Sequence, residues 1–258
     1  MKPSKSFENL LEIVRILRDP DKGCPWDKEQ THKSLTPYII EEAHEMVEAI
    51  ETNESELPKE LGDVLLQVLL HSQIGKDEGK FSFEDVVFKL SEKLIVRHPH
   101  VFGDTKAETS KKVLENWEQI KQKELKTNES ILDGVPKRMP ALLRAQRTGE
   151  KAARVGFEWD TLDEIKNKVF EEINEFLEID PNDKERLEDE FGDIYFALTQ
   201  LSRRLNLDSE KALHRATDKF TRRFQELERR AKKPLTDFTL GELDLIWEDI
   251  KKDEKGSL

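Results

Sequence analysis

Two sets of acidic side chains in this sequence share one pattern. Glu41, Glu42 and Glu45 are followed by Glu60 and Asp63; further along, at a constant displacement, Glu171, Glu172 and Glu175 are followed by Glu190 and Asp193. Side chains three or four positions apart on a helix lie over the same patch of surface, so each E-E-x-x-E run presents its acids together, and each E-x-x-D pair does the same on the next helix. If the two helices of a set pack against each other, four or five carboxylates converge. Such a group repels itself in a partly dry cleft unless a cation is present. Oxygen donors alone favour a hard ion, Mg²⁺ or alternatively Mn²⁺. In a chain that is 38% charged, a single E-E-x-x-E is more often a solvated helix face. Asp63 and Asp193 shift that balance, because each falls within an apolar run, where a carboxylate is expected to need a partner. Carboxylate-held Mg²⁺ usually completes its shell with water and substrate phosphates. Basic side chains would then meet the remaining phosphate charge; Lys219 and Arg223 share a helix face, and Lys251 follows Trp247 by one turn. Trp247 can equally stack on a base or fill a bundle core.

The elements that would position these acids read as helices. Phe7, Leu10, Leu11, Val14 and Leu17 recur at helical spacing up to Asp19-Pro20. Gly23-Cys24-Pro25-Trp26-Asp27 reads as a turn or loop. Thr36-Pro37 opens the helix bearing Glu41, Glu42 and Glu45, and Pro58 opens the one bearing Glu60 and Asp63. The latter is apolar nearly all round, which predicts a central position in a bundle. A fourth helix is expected through Arg97, and a further amphipathic one over Val113 to Lys126, carrying Trp117 and Lys121.

The second half repeats this plan. Trp159-Asp160 answers Trp26-Asp27, Lys219 and Arg223 answer Lys93 and Arg97, and Trp247 and Lys251 answer Trp117 and Lys121. That is a duplication. With 258 residues the chain accommodates two domains, expected at 1–126 and 141–258 with a linker at 127–140, where Asn128, Gly134, Pro136 and Pro140 cluster. The fold class expected is all-α. A net charge of -12 argues against a nucleic-acid partner. No stretch approaches the length of a membrane span, the N-terminal residues are too polar for a signal segment, and the single cysteine, Cys24, fits a reducing compartment. A cytoplasmic protein is expected.

Gly23-Cys24-Pro25-Trp26-Asp27, the doubled acid pattern and Arg97-His98-Pro99-His100-Val101-Phe102 together resemble the MazG family of nucleoside triphosphate pyrophosphohydrolases, in its form with two tandem domains. The resemblance runs from about Phe7 to Lys251. It implies a helical bundle in each domain, a homodimer, Mg²⁺ dependence, and hydrolysis of NTPs or dNTPs to the monophosphate and pyrophosphate. By the same resemblance Glu172, Glu175, Glu190 and Asp193 match the metal ligands. Glu171, Glu172 and Glu175 are the candidates for catalytic work, and Lys168, Arg186, Lys219, Arg223, Trp247 and Lys251 surround the nucleotide. The first half keeps the acids Glu41, Glu42, Glu45, Glu60 and Asp63 but has Tyr38 in place of Lys168 and Glu56 in place of Arg186. Turnover is therefore expected mainly in the second half.

Rival motifs fail. Gly75 to Phe81 has the wrong glycine spacing for a phosphate-binding loop and lacks its Ser or Thr, and His44-Glu45 lacks the second histidine of a zinc protease. Phosphoribosyl-ATP or dUTP pyrophosphohydrolysis shares the acid layout, and a non-catalytic helical scaffold that merely binds cations remains a different class of reading.

Overall fold

A computed structural model describes residues 2–107, 109, 112–113, 116–117, 120 and 130–256 of the chain. Among these residues the regular structure is helical throughout, as the all-α expectation requires. The chain divides into two compact units, Met1–Lys121 and Gln122–Leu258.

In the first unit, α1 (Phe7–Leu17) starts where the Ser6 side chain accepts the Asn9 N–H. It ends in a tight turn that requires Gly23, because a Cβ there would stand 2.5 Å from the carbonyl oxygens of Leu17 and Asp19. The stretch read as a loop then forms a short helix, α2 (Pro25–Glu29). Pro25 occupies its first turn, where its missing N–H costs nothing, so a proline that suggested a break begins an element instead. α3 (Thr36–Thr52) and α4 (Leu57–Asp77) form the acid-bearing pair. α4 also packs on α1 and on α5 (Phe83–Arg97), which confirms its central position. Val14, Leu35, Leu69, Leu70 and Ile74 form the buried core, with Leu10, Leu11, Leu65, Leu66 and Phe83 packed around it. Gly75 lies within α4 beneath the ring of Phe81, so the stretch that superficially suggests a phosphate loop is a helix end. α6 (Pro99–Phe102) follows. The helix expected over Val113 to Lys126 falls largely outside the described residues.

In the second unit, Lys151 Nζ donates to the Ile131 carbonyl at 2.8 Å and Val135 is buried, which holds the turns after Ser130 against α7 (Ala141–Ala153). α8 (Leu162–Leu177) opens with a capping box between Thr161 and Glu164, and α9 (Lys184–Arg204) is capped by Asp183. These two helices form the second acid-bearing pair. α9 crosses α7 at Gly149, where a Cβ would overlap the amide of buried Gln200; that amide donates to the Ala145 carbonyl at 3.0 Å and accepts from Arg203. α10 (Ser209–Arg230) is capped by Asp208 and pairs with α11 (Leu240–Gly256). No helix among the described residues is long and apolar enough to cross a membrane.

Candidate functional site

In the second unit α8 and α9 bring Glu172, Glu175 and Glu190 together, with one oxygen of each within 4.8 Å of the others. Glu172 is the buried member, at 7% exposure. Lys168, one turn earlier on α8, places Nζ 2.9 Å from Glu172 Oε1 and 2.8 Å from Glu171 Oε1. These bonds to Glu171 and Glu172 raise the Lys168 pKa and keep it protonated. The Glu190 carboxyl is held above the ordinary carboxylate range, first by burial and then by the charges of Glu175, Glu172 and Asp193, against a smaller opposing influence of Arg186. Asp193 is exposed and lies outside the group of three. The apolar run around it does not bury it, because its neighbours Phe191, Tyr195 and Phe196 are themselves exposed.

The first unit gathers a different three. Glu42 from α3 and Glu60 and Asp63 from α4 have oxygens within 4.8 Å of one another, while Glu41 and Glu45 stay outside. The buried member is now Glu60, at 6% exposure. Lys59 Nζ lies 2.8 Å from Glu60 Oε1, and Glu60 Oε2 is buried without a hydrogen-bond partner. Burial, followed by Asp63, Glu45, Glu41 and Glu60, raises the Glu42 pKa. Tyr38, at the position of Lys168, packs edge-on against Trp26 with ring centroids 5.6 Å apart. Lys59 was absent from the residues singled out by sequence. The usable signal was its place immediately before Glu60 and one turn before Asp63.

Four of the remaining expected nucleotide contacts, Lys219, Arg223, Trp247 and Lys251, lie on α10 and α11. Arg223 donates from Nε and Nη2 to Glu254 Oε2 at 2.9 and 2.6 Å, and Lys251 pairs with Glu248 at 2.7 Å. Trp247 is half-buried against Phe220, centroids 5.2 Å apart. Lys219 lies beside Arg215 and Arg222 around a shallow hollow. Arg186 sits one turn before Glu190 on α9, with its backbone N–H given to Asp183. In the first unit Lys121 lies outside the described residues, and Trp117 meets His98 edge-on at 5.4 Å.

The donor chemistry of both clusters, carboxylate oxygens only, suits a hard divalent ion. The orphaned buried oxygen of Glu60 is the kind of group such an ion would satisfy.

The MazG nucleotide pyrophosphohydrolase domain matches residues 30–102 and 160–227, one segment in each half. The chain is 43% identical to the nucleoside triphosphate pyrophosphohydrolase of Escherichia coli K12 over 96% of its own length and 98% of that protein. It is 45% identical to the nucleoside triphosphate pyrophosphohydrolase/pyrophosphatase MazG of Thermotoga maritima over 95% of each chain. YabN of Bacillus subtilis is 48% identical over 97% of this chain, which spans 53% of that longer protein. Both matched segments contain an acid-bearing helix pair, and the chain belongs to the MazG nucleotide pyrophosphohydrolase family.

Proposed function

We propose that this chain is a Mg²⁺-dependent nucleoside triphosphate pyrophosphohydrolase that converts an NTP or dNTP and water to the monophosphate and pyrophosphate, with most turnover in the second unit. The observation that carries the reading is the gathering of Glu172, Glu175 and Glu190 on one helix pair with Lys168 on the buried carboxylate. The names of the relatives from E. coli and T. maritima supply the substrate class.

Glu172, Glu175 and Glu190 would hold the ion, with Asp193 at the rim, and Mn²⁺ suits the same donors. When bound, Mg²⁺ supplies charge neutralisation at the phosphate oxygens and an acidified water. The chain's own residues do the rest. Lys168 and Arg186 bring positive charge to the edge of the cluster, where phosphate oxygens would lie. One of Glu172, Glu175 and the exposed Glu171 would orient or take a proton from the attacking water. Lys219, Arg223, Trp247 and Lys251 would contact the nucleotide from α10 and α11, and Arg223 must then exchange Glu254 for phosphate.

A homodimer completes the proposal. The apolar side chains Leu213, Phe220 and Phe224 on α10, and Val87, Leu90 and Leu94 on α5, are exposed along helix faces. Stripes of that kind bury themselves against a second helix pair. The lone free Cys24 suits a cytoplasmic location. Pyrophosphate release from a panel of NTPs and dNTPs, with and without Mg²⁺, tests the activity. Absence of Mg²⁺-dependent pyrophosphate release from every member would defeat it.

A further inference from the structure

Two histidines of the first unit meet end to end. His32, in the turns between α2 and α3, and His71, on α4, place their Nδ1 atoms 2.8 Å apart, with ring planes 4° from parallel and ring centres 5.1 Å apart. Each ring centre stands one ring radius behind its own nitrogen. A centre spacing this long is therefore reached only when nitrogen is aimed at nitrogen along one line. That is the geometry of an N–H···N hydrogen bond. An ion between two nitrogens so aligned would need about 2.0 Å to each, so the gap admits a proton and no metal. The ring of Phe81 lies nearly parallel to that of His32, centres 5.8 Å apart.

The bond ties two parts of the chain together. The turns over 31–35 lead through the fully buried Leu35 into α3, and His32 is their hydrogen-bonded tie to α4. The start of the segment is fastened separately: Arg18 donates from Nη1 to the carbonyls of Asp27 and Gln30, and from Nε to Asp77 at 2.8 Å. The charged groups around the pair come from each neighbouring element. Glu78, at the end of α4, has Oε2 3.9 Å from His32 Nε2 and 2.8 Å from Lys80 Nζ. α1 contributes Arg18, α2 the buried Asp27, and the turns the exposed Lys33. α5 begins with Glu84 and Asp85, of which Glu84 answers Lys76 on α4. α3 brings no charge before Glu41.

An N–H···N bond needs one ring to donate and the other to accept. With both rings neutral, or with His32 charged and its Nε2–H turned to Glu78, the acceptor nitrogen of His71 survives. A second proton removes it, and two donors then face each other with two positive charges and no acceptor between them. Burial, and then the charge of His32, hold the His71 pKa below the ordinary histidine value, the direction in which a closed pair resists that proton. The second unit has Leu201 at the position of His71, so the device belongs to the first unit. We propose that His32 and His71 form a pH-operated latch. Fastened, it holds the turns over 31–35 on α4; doubly protonated, it releases them and loosens the entry to α3, while Arg18 keeps the start of the segment in place.

The test is backbone hydrogen exchange in the full chain between about pH 7.5 and about pH 5, each rate corrected for the intrinsic pH dependence of exchange. The reporting amides are those of Leu35 and Thr36, which donate to the Thr31 and Lys33 carbonyls. Lys28 and Gln30 on the Arg18 side, and Leu69 and Leu70 within α4, serve as references. As pH falls below the ordinary histidine range, protection of the reporting amides should fall by up to about tenfold per pH unit while the references keep theirs. His71→Leu, which cannot fasten the latch, should show lower protection that no longer changes with pH. The amide of His71→Asn offers His32 either a donor or an acceptor and does not titrate, so this variant should restore protection and hold it level across the range. Circular dichroism checks helical content, and His71→Asn decides the matter alone where His71→Leu fails to fold. Protection independent of pH in the parent, or a decline that persists unchanged in His71→Asn, would overturn the proposal. So would a loss shared equally by the reference amides, the mark of unfolding of the whole unit, or opening by a chelator at neutral pH, the mark of a metal between the rings.

Discussion

The first and second carboxylate clusters share Glu42 with Glu172 and Glu60 with Glu190 as equivalent members, and differ in the third: Asp63 on α4 in one, Glu175 on α8 in the other. They differ also in which acid is buried, Glu60 or Glu172, and in which lysine attends it. The comparison teaches that a duplicated set of acids does not fix which of them converge. In each unit the group that gathers contains the acid that is buried. A buried carboxylate without a counter-cation is costly, so a lysine is found wherever the buried one falls. The surroundings then separate the halves further. Arg186 offsets the repulsion around Glu190, whereas the equivalent position in the first unit is Glu56, which brings no positive charge.

The broadest way to break the comparison is to remove the ion from both clusters. Chelation should abolish pyrophosphate release, Mg²⁺ should restore it, and Mg²⁺ should raise the melting temperature of the intact chain by binding only the folded state. If activity survived chelation, the clusters would be salt-bridged helix faces.

A smaller change sharpens the contrast in cations. Lys168→Ala should lower kcat/KM for NTP hydrolysis by about tenfold or more, the loss of one hydrogen-bonded charge on phosphate. Steady-state kinetics would check this, and no effect would mean that Lys168 only neutralises Glu171 and Glu172.

The raised pKa values of Glu42 and Glu190 give a pH dependence with a definite sign. A carboxyl whose folded pKa exceeds its unfolded value contributes stability below the unfolded pKa, and that contribution is lost as pH rises through the folded value. The metal-free chain should therefore lose this share of stability as pH climbs through and above the ordinary carboxylate range. Protons should correspondingly displace Mg²⁺ as pH falls. Melting curves of Glu190→Gln against the parent across pH would show the dependence flattened.

The smallest effect belongs to the first unit alone. His32 Nδ1 and His71 Nδ1 lie 2.8 Å apart, sharing one hydrogen bond, and burial together with His32 lowers the His71 pKa. A histidine with a depressed pKa contributes stability above its unfolded pKa and loses it as pH falls through the folded value. The equivalent of His71 in the second unit is Leu201, which cannot titrate. His71→Leu should therefore weaken the acid-side decline in stability measured on the full chain, by a modest amount for a partly buried group.

Much of this architecture was legible in residues. The apolar repeats and Thr36-Pro37 marked α1, α3 and α4, because helical periodicity and a first-turn proline are local signals. Pro25 misled, since the same residue type that ends one helix begins α2. The equivalence of the acids was visible, but which three converge was not. Convergence depends on the packing of two helices, and that packing leaves Asp193 exposed although its sequence neighbours are apolar. Lys59 carries a weaker signal, its place one turn before Asp63, because its partner is the adjacent Glu60 and adjacent helical residues do not ordinarily face each other.

The most direct test sets the two clusters against each other in one assay. Mg²⁺-dependent pyrophosphate release is measured for the full chain carrying Glu172→Gln and for the full chain carrying Glu42→Gln, after circular dichroism has shown both to retain their helical content. The account predicts that Glu172→Gln loses activity by orders of magnitude, while Glu42→Gln keeps most of it. Near-normal turnover in Glu172→Gln, with collapse in Glu42→Gln, would contradict it.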